Sequence, residues 1–385
     1  MNQRVAASNA TGTEDRTGRV DVIHPAADST LTQSGPQMKA ETHKIVATHG
    51  KLQRISALDF TKGALVLIMV LYHWIDYFIG SGLDLFRYLR FLTPSFICIS
   101  GFLISAVYLA KYDLGDPKIP KRLAERGLKI LGLFVLLNVF ITLVFRTSYN
   151  GKIGFGGFSL SDLTAVFVTG NNQVAGAGKA AAFYVLVPIS YLLLLSAGLV
   201  IVCKLYRFAF QTAFFVCLLS VLILNLKGLQ SANLELVTIG FLGVIIGYIP
   251  FDKINGITRH PYLLVAAYLG YTVLITIWNV KYLLQIVGVC LSLALLYLMG
   301  ASGNGPGRVR NLVILLGKYS LLGYIVQILI LQVLRRAFRL VELGPGMLAV
   351  SFLAAVALTI IAVVSVDRAR VRSTAVDGLY RTVFS

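Results

Sequence analysis

RISALDFTKGALVLIMVLYHWIDYFIG runs from Arg54 to Gly80. Most of it is apolar enough to cross a bilayer, yet it carries four ionisable groups in two clusters. Asp59 and Lys62 open the apolar run, and His73 and Asp76 sit near its far end. Each pair is three residues apart, so in a helix each pair shares one face. From Asp59 to His73 is a rise of roughly 21 Å. That places one pair near the inner surface and the other in the outer third of the membrane. A charge in hydrocarbon is costly, so such groups face a bundle interior or a watery cavity.

The rest of the chain repeats the apolar pattern. Of 385 residues, 57% are hydrophobic and 14% charged, against about a quarter charged in a soluble domain. Ten apolar segments have spanning length, roughly 17–25 residues each. They cover about 58–79, 91–110, 127–145, 181–202, 209–226, 234–251, 261–278, 282–301, 311–334 and 347–366. The expected fold is an all-α polytopic integral membrane protein of about ten transmembrane helices. Residues 1–50 read as a disordered polar cytoplasmic tail, and 51–385 as the membrane domain. The segment 160–168 is too short to span and reads as a re-entrant or interfacial helix.

The formal net charge is +18. With N-terminus inside, the inner segments hold 22 Lys and Arg and the outer loops 10, which puts both termini in the cytoplasm. Arg335, Arg336 and Arg339 are the exception. The charge is therefore topological, and no nucleic-acid motif is present. The four cysteines, Cys98, Cys203, Cys217 and Cys290, lie in or beside apolar runs and have no metal-ligand spacing.

Two readings stand for each charged group. Asp59 and Lys62 form a neutral pair anchoring the helix end, or a functional pair. His73 joins Tyr72 and Trp74 in an interfacial aromatic belt, or is a general base made more basic by Asp76. Asp76 also fits the outer loop. Before the third segment stand Lys111, Lys118, Lys121, Arg122 and Arg126. They set topology, or Arg122 and Arg126, four apart on one face, bind phosphate. Asn138, Tyr324, Gln285, Gln327 and Gln332 read as interhelical hydrogen-bonding residues. Glu235 and His260 read as helix-boundary residues.

These residues resemble a family. Arg54, Leu58, Asp59, Lys62, Gly63 and His73 resemble the first helix of the membrane-bound acyltransferases. That group comprises the acyltransferase 3 family, the OpgC-type glucan succinyltransferases and bacterial relatives of heparan-alpha-glucosaminide N-acetyltransferase. FICISGFLIS (Phe96 to Ser105) is similar to their second helix, and KRLAERGLKI (Lys121 to Ile130) to the start of their third. FLGVIIGYIP (Phe241 to Pro250), LLGKYSLLGYIVQILIL (Leu315 to Leu331) and LYRTVF (Leu379 to Phe384) resemble later segments. Lys62 stands where the family usually has Arg, and Gln327 where many members have His.

The resemblance implies transfer of an acyl group, acetyl or succinyl in class, from cytoplasmic acyl-CoA to a hydroxyl or amine of an exported or lipid-linked saccharide. Lys121, Arg122 and Arg126, with Lys62, Asp59 and Arg54, would hold the donor. His73, with Asp76, would deprotonate the acceptor or carry the acyl group. It also implies a bacterial inner membrane; no His, Cys and carboxylate set has metal-ligand spacing, so no metal is expected. A competing reading is a transporter or flippase with His73 and Asp76 as a proton relay. Another is a non-catalytic scaffold.

Overall fold

A computed structural model describes residues 56–80, 84–109, 116–145, 164–170, 183–250, 253–254, 256, 260–278, 281–302, 307–338 and 344–384, with backbone alone at 142–145. The polar tail and Arg54 lie outside the described residues. Every regular element among those described is helical. The first is α1 (Ser56–Phe78). A short helix (Phe86–Leu89) leads into α2 (Leu92–Leu103), which continues as a π-helical stretch (Ile104–Leu109). Then come α3 (Lys118–Phe145), α4 (Leu186–Cys203), α5 (Ala209–Leu226), α6 (Ala232–Ile246), α7 (Pro261–Ile277), α8 (Tyr282–Ser302), α9 (Arg308–Lys318), α10 (Ser320–Ala337), α11 (Pro345–Arg372) and α12 (Thr374–Phe384).

Seven of these are long and apolar enough to cross a membrane: α1, the Phe86–Leu109 unit, α4, α5, α8, α10 and α11. The other three of the ten apolar segments are helical, and two of them are shorter. α6 and α7 have 15 and 17 residues, or about 22 and 26 Å of rise against the roughly 30 Å hydrocarbon core. α3 has 28 residues; Lys118, Lys121, Arg122, Glu125, Arg126 and Lys129 stand in its first half, and from Ile130 to its end it carries no charge. The segment expected at 160–168 is described only from residue 164. There a π-helical turn (Ala165–Thr169) is held by Tyr191 Oη, donating to the Phe167 carbonyl at 2.8 Å. Asn233 Nδ2 donates to the Val166 carbonyl at 3.0 Å.

α1 is the hub. It packs on α2, α8, α9, α10 and α11, and Leu65, Val66, Met69 and Val70 along it are fully enclosed. Its tightest neighbour is α9, and two glycines make that approach possible. A Cβ on Gly63 would strike the Val313 carbonyl, and one on Gly317 the Asp59 carbonyl. Small residues let membrane helices bring backbones together and gain dispersion contacts. The same device joins α2 to α6, where Gly101 meets the Gly240 carbonyl and Gly243 meets that of Cys98. At Tyr319 the backbone leaves helical geometry (φ −111°, ψ 29°), and α10 begins.

A clamp at the C-terminus fixes that junction. Tyr319 Oη donates to Asp367 Oδ1 at 2.7 Å and accepts from Arg370 Nη1 at 3.0 Å. Arg370 lies 4.0 Å over the Tyr380 ring and donates from Nε and Nη2 to Asp377 Oδ1 at 2.8 and 2.5 Å. Arg381 pairs with Asp377 at 2.7 Å. The Arg370 hydrogen bonds, then the Arg381 charge, hold the Asp377 carboxyl below its usual value of 3.8. A depressed folded pKa gives stability that is complete above the unfolded value and lost as pH falls through the folded one. Asp377→Asn should therefore lower the melting temperature at neutral pH. The gap from wild type should close as the pH falls below the usual carboxylate value and the Asp377 carboxyl takes up its proton. A gap unchanged by pH would assign the loss to something other than the carboxylate charge.

Candidate active site

The two ionisable clusters of α1 take different environments. At its N-terminal end Lys62 Nζ pairs with Asp59 Oδ1 at 2.7 Å, with side chains only 15% and 5% exposed. The three-residue spacing makes the pair, and α9 closes over it where Gly317 abuts the Asp59 backbone. Arg310 of α9 ties this end to α8 by donating from Nη2 to the Gly300 carbonyl at 3.1 Å.

The basic residues of α3 divide. Lys121 is exposed and only loosely paired with Glu125, at 3.9 Å. Arg122 is exposed as well. Arg126, one turn on, is half-buried, and its Nη1 donates to Tyr108 Oη at 2.6 Å. Tyr108 belongs to the π-helical stretch that ends α2. π-Helical insertions widen a helix and occur often at functional sites. Here the widened turn carries the phenol that orients a guanidinium.

His73 lies inside the bundle. Its ring meets Tyr72 edge-on at 5.2 Å and faces Tyr324 of α10 at 6.4 Å between centroids. Phe183 closes on Tyr324 at 6.0 Å. Phe183 is 2% exposed and holds a left-handed backbone, φ 62°, which is uncommon for a bulky residue and marks local strain. His73 Nε2 is buried and has no hydrogen-bond partner among the described residues. Trp74 does not stand in an outward belt with it. The indole is 9% exposed, and Nε1 donates to Ser351 Oγ of α11 at 2.9 Å.

Asp76 is half-buried, and no hydrogen bond joins it to His73 among the described residues. Spacing of three brings the two to one side of α1 without bonding them. Tyr77, four residues after His73, accepts a hydrogen bond from Gln332 Nε2 at 3.4 Å, and Arg335 lies 5.8 Å over its ring.

A family model described as an acyltransferase domain, that of the acyltransferase 3 family, matches residues 55–366. The chain belongs to the acyltransferase 3 family. It is a multi-pass membrane acyltransferase, and the matched range contains α1 through most of α11, including every described site residue. The match ends before Asp367, so the clamp and the LYRTVF stretch lie beyond it. No curated protein and no solved structure matches the chain.

For an acyltransferase, the notable feature is a nitrogen base enclosed by aromatic rings on a helix whose other end holds cations. Among the described residues no group of three or more His, Cys, Asp or Glu is placed to hold a metal ion. Sequence reasoning did not single out Tyr108 or Phe183, and it read Tyr324 only as an interhelical hydrogen-bonding residue. Tyr108 carries no local signal; only the fold brings it to Arg126. Gln332 does bond across helices, and Gln285 Nε2 donates to the Arg90 carbonyl at 3.2 Å. His260 caps α7 just before Pro261, as a boundary residue does.

Proposed function

We propose that this acyltransferase moves an acetyl- or succinyl-class group from cytoplasmic acyl-CoA to a hydroxyl or amine of an exported or lipid-linked saccharide. That activity falls in the class of acyltransferases moving groups other than aminoacyl groups. The supporting observation is the buried, unpartnered Nε2 of His73 at the far end of a helix that begins with the Asp59–Lys62 pair. Arg126, set by Tyr108, with Arg122, Lys121 and Lys62, binds the phosphates of CoA on the cytoplasmic side. Both termini lie on that side of a bacterial inner membrane, and the lysine and arginine bias supports that orientation. The thioester reaches toward His73 from within, and the acceptor approaches from the opposite face. His73 Nε2 takes the proton of the acceptor as its oxygen or nitrogen attacks the acyl carbonyl. The C–S bond breaks, and the CoA thiolate leaves and is protonated by the imidazolium.

A proton-relay transporter would need exchange between His73 and Asp76, and no bond joins them among the described residues.

Thermal melts of the purified protein with CoA, acetyl-CoA, succinyl-CoA and longer acyl-CoAs test the assignment. A ligand that binds only the folded state raises the melting temperature once its concentration exceeds the dissociation constant. One acyl-CoA should stabilise wild type, and Arg122→Ala/Arg126→Ala should lose the response. A folded protein that ignores every CoA overturns the proposal.

A further inference from the structure

Gly323, Gln327 and Leu331 stand four residues apart on α10 and so form one row along the helix. Gly323 packs on Val66 of α1, and Leu331 clusters with Val70 and Trp74. Gln327 lies between them in the row and therefore faces the same stretch of α1, the stretch that carries His73. Tyr324, beside this row, is the residue whose ring faces His73.

Gln327 is fully buried, at 0% exposure. Neither its Oε1 nor its Nε2 has a hydrogen-bond partner among the described residues. An amide enclosed without partners is destabilising, and an apolar side chain of the same shape would pack there at no such cost. Gln332, on the same helix, bonds through Nε2 to Tyr77 and leaves only its Oε1 without a partner among the described residues. Gln327 makes no such bond. The unpartnered Nε2 of His73 belongs to the facing helix. Two unpaired polar groups on facing helices, within one short stretch of a membrane bundle, mark a place built for a polar ligand.

We propose that Gln327 is a substrate-contacting residue of the His73 site, its Nε2–H donating to the carbonyl oxygen of the acyl group being transferred. The inference rests on the acyl-transfer reading above. As the acceptor attacks and gives its proton to His73, the carbonyl π electrons move to that oxygen. The Gln327 amide then faces a developing oxyanion, the charge that fixed donors stabilise best. When the C–S bond breaks the carbonyl re-forms and the hydrogen bond weakens. The two side chains divide the reaction, His73 handling the proton and Gln327 the carbonyl.

The test separates the acyl carbonyl from the rest of the donor. Purified full-length wild type, Gln327→Leu and Gln327→Met are melted with free CoA and with acetyl-CoA and succinyl-CoA. Wild type should bind its acyl-CoA about tenfold more tightly than CoA, the worth of one good hydrogen bond. Both variants should lose that increment, keep the response to free CoA, and melt without ligand at or above the wild-type temperature. Equal affinity of wild type for CoA and acyl-CoA, or an increment that survives in both variants, overturns the role of Gln327 and leaves the donor site standing. No response of wild type to any CoA overturns the acyl-CoA reading itself.

Discussion

His73→Gln should transfer acyl groups ~10²–10⁴-fold more slowly than wild type, the usual contribution of a general base. The melting temperature and the response to acyl-CoA should hardly move. Glutamine keeps a polar side chain of similar reach but has no lone pair that takes up a proton in water's pH range. The stability expectation follows from the surroundings of the ring. It meets Tyr72 and Tyr324 through van der Waals contact, and its Nε2 bonds to nothing among the described residues, so no structural hydrogen bond is lost. The measurement is CoA-thiol release in membranes that carry acceptor, with donor binding checked by melting. A kcat equal to wild type would place the base elsewhere. A fall in donor affinity with kcat preserved would make His73 a binding residue.

Gly317→Leu should be the most destabilising single change, with Gly63→Leu close behind. A Cβ at either position falls on backbone carbonyl atoms of the facing helix, not on a side chain that could rotate away. Overpacking a core costs about 1–3 kcal/mol when side chains can shift. Here the helices themselves must separate, and α9 would lift from α1 over the Asp59–Lys62 pair. The expected outcome is loss of monodisperse protein on size exclusion and loss of acyl-CoA stabilisation. Gly132 supplies the control. It is an exposed glycine of α3 with nothing near a Cβ, and Gly132→Leu should melt at or slightly above wild type, because glycine is a poor helix former. If Gly317→Leu behaved like Gly132→Leu, the α1–α9 crossing would be wrong.

Hydropathy made the helices legible, because apolar runs of spanning length have few other fates. It did not reveal that α6 ends at Ile246, because Gly247 to Ile249 continue the apolar run but leave the helix. The run 311–334 reads as one continuous span. In the structure it breaks at Tyr319, where α9 presses on α1, and no proline announces the change. At the site, the Asp59–Lys62 pair was readable from spacing, and His73 from its apolar context. The same spacing suggested His73 and Asp76 as partners, and the side chains do not bond. Tyr108, Tyr324 and Gln327 were unreadable as site residues because their setting depends on which distant helices meet. The placement of Gln327 between Val66 and Trp74 follows only from the pairing of α10 with α1.

The hub is made early, and the helix that packs on it most closely comes late. α1 leaves the ribosome with Asp59, Lys62 and His73 already in an apolar segment. The residues that enclose it, Val313 to Leu331, are about 250 positions later. At roughly 5–20 residues per second, that interval is on the order of 10–50 s. Through that time the Gly63 groove is open and the histidine is unshielded. Something in the insertion machinery, or the early α2–α6 group, has to shelter the first helix until the end of the chain arrives. The order of synthesis thus makes the last third of the protein the step that commits the first helix to its place.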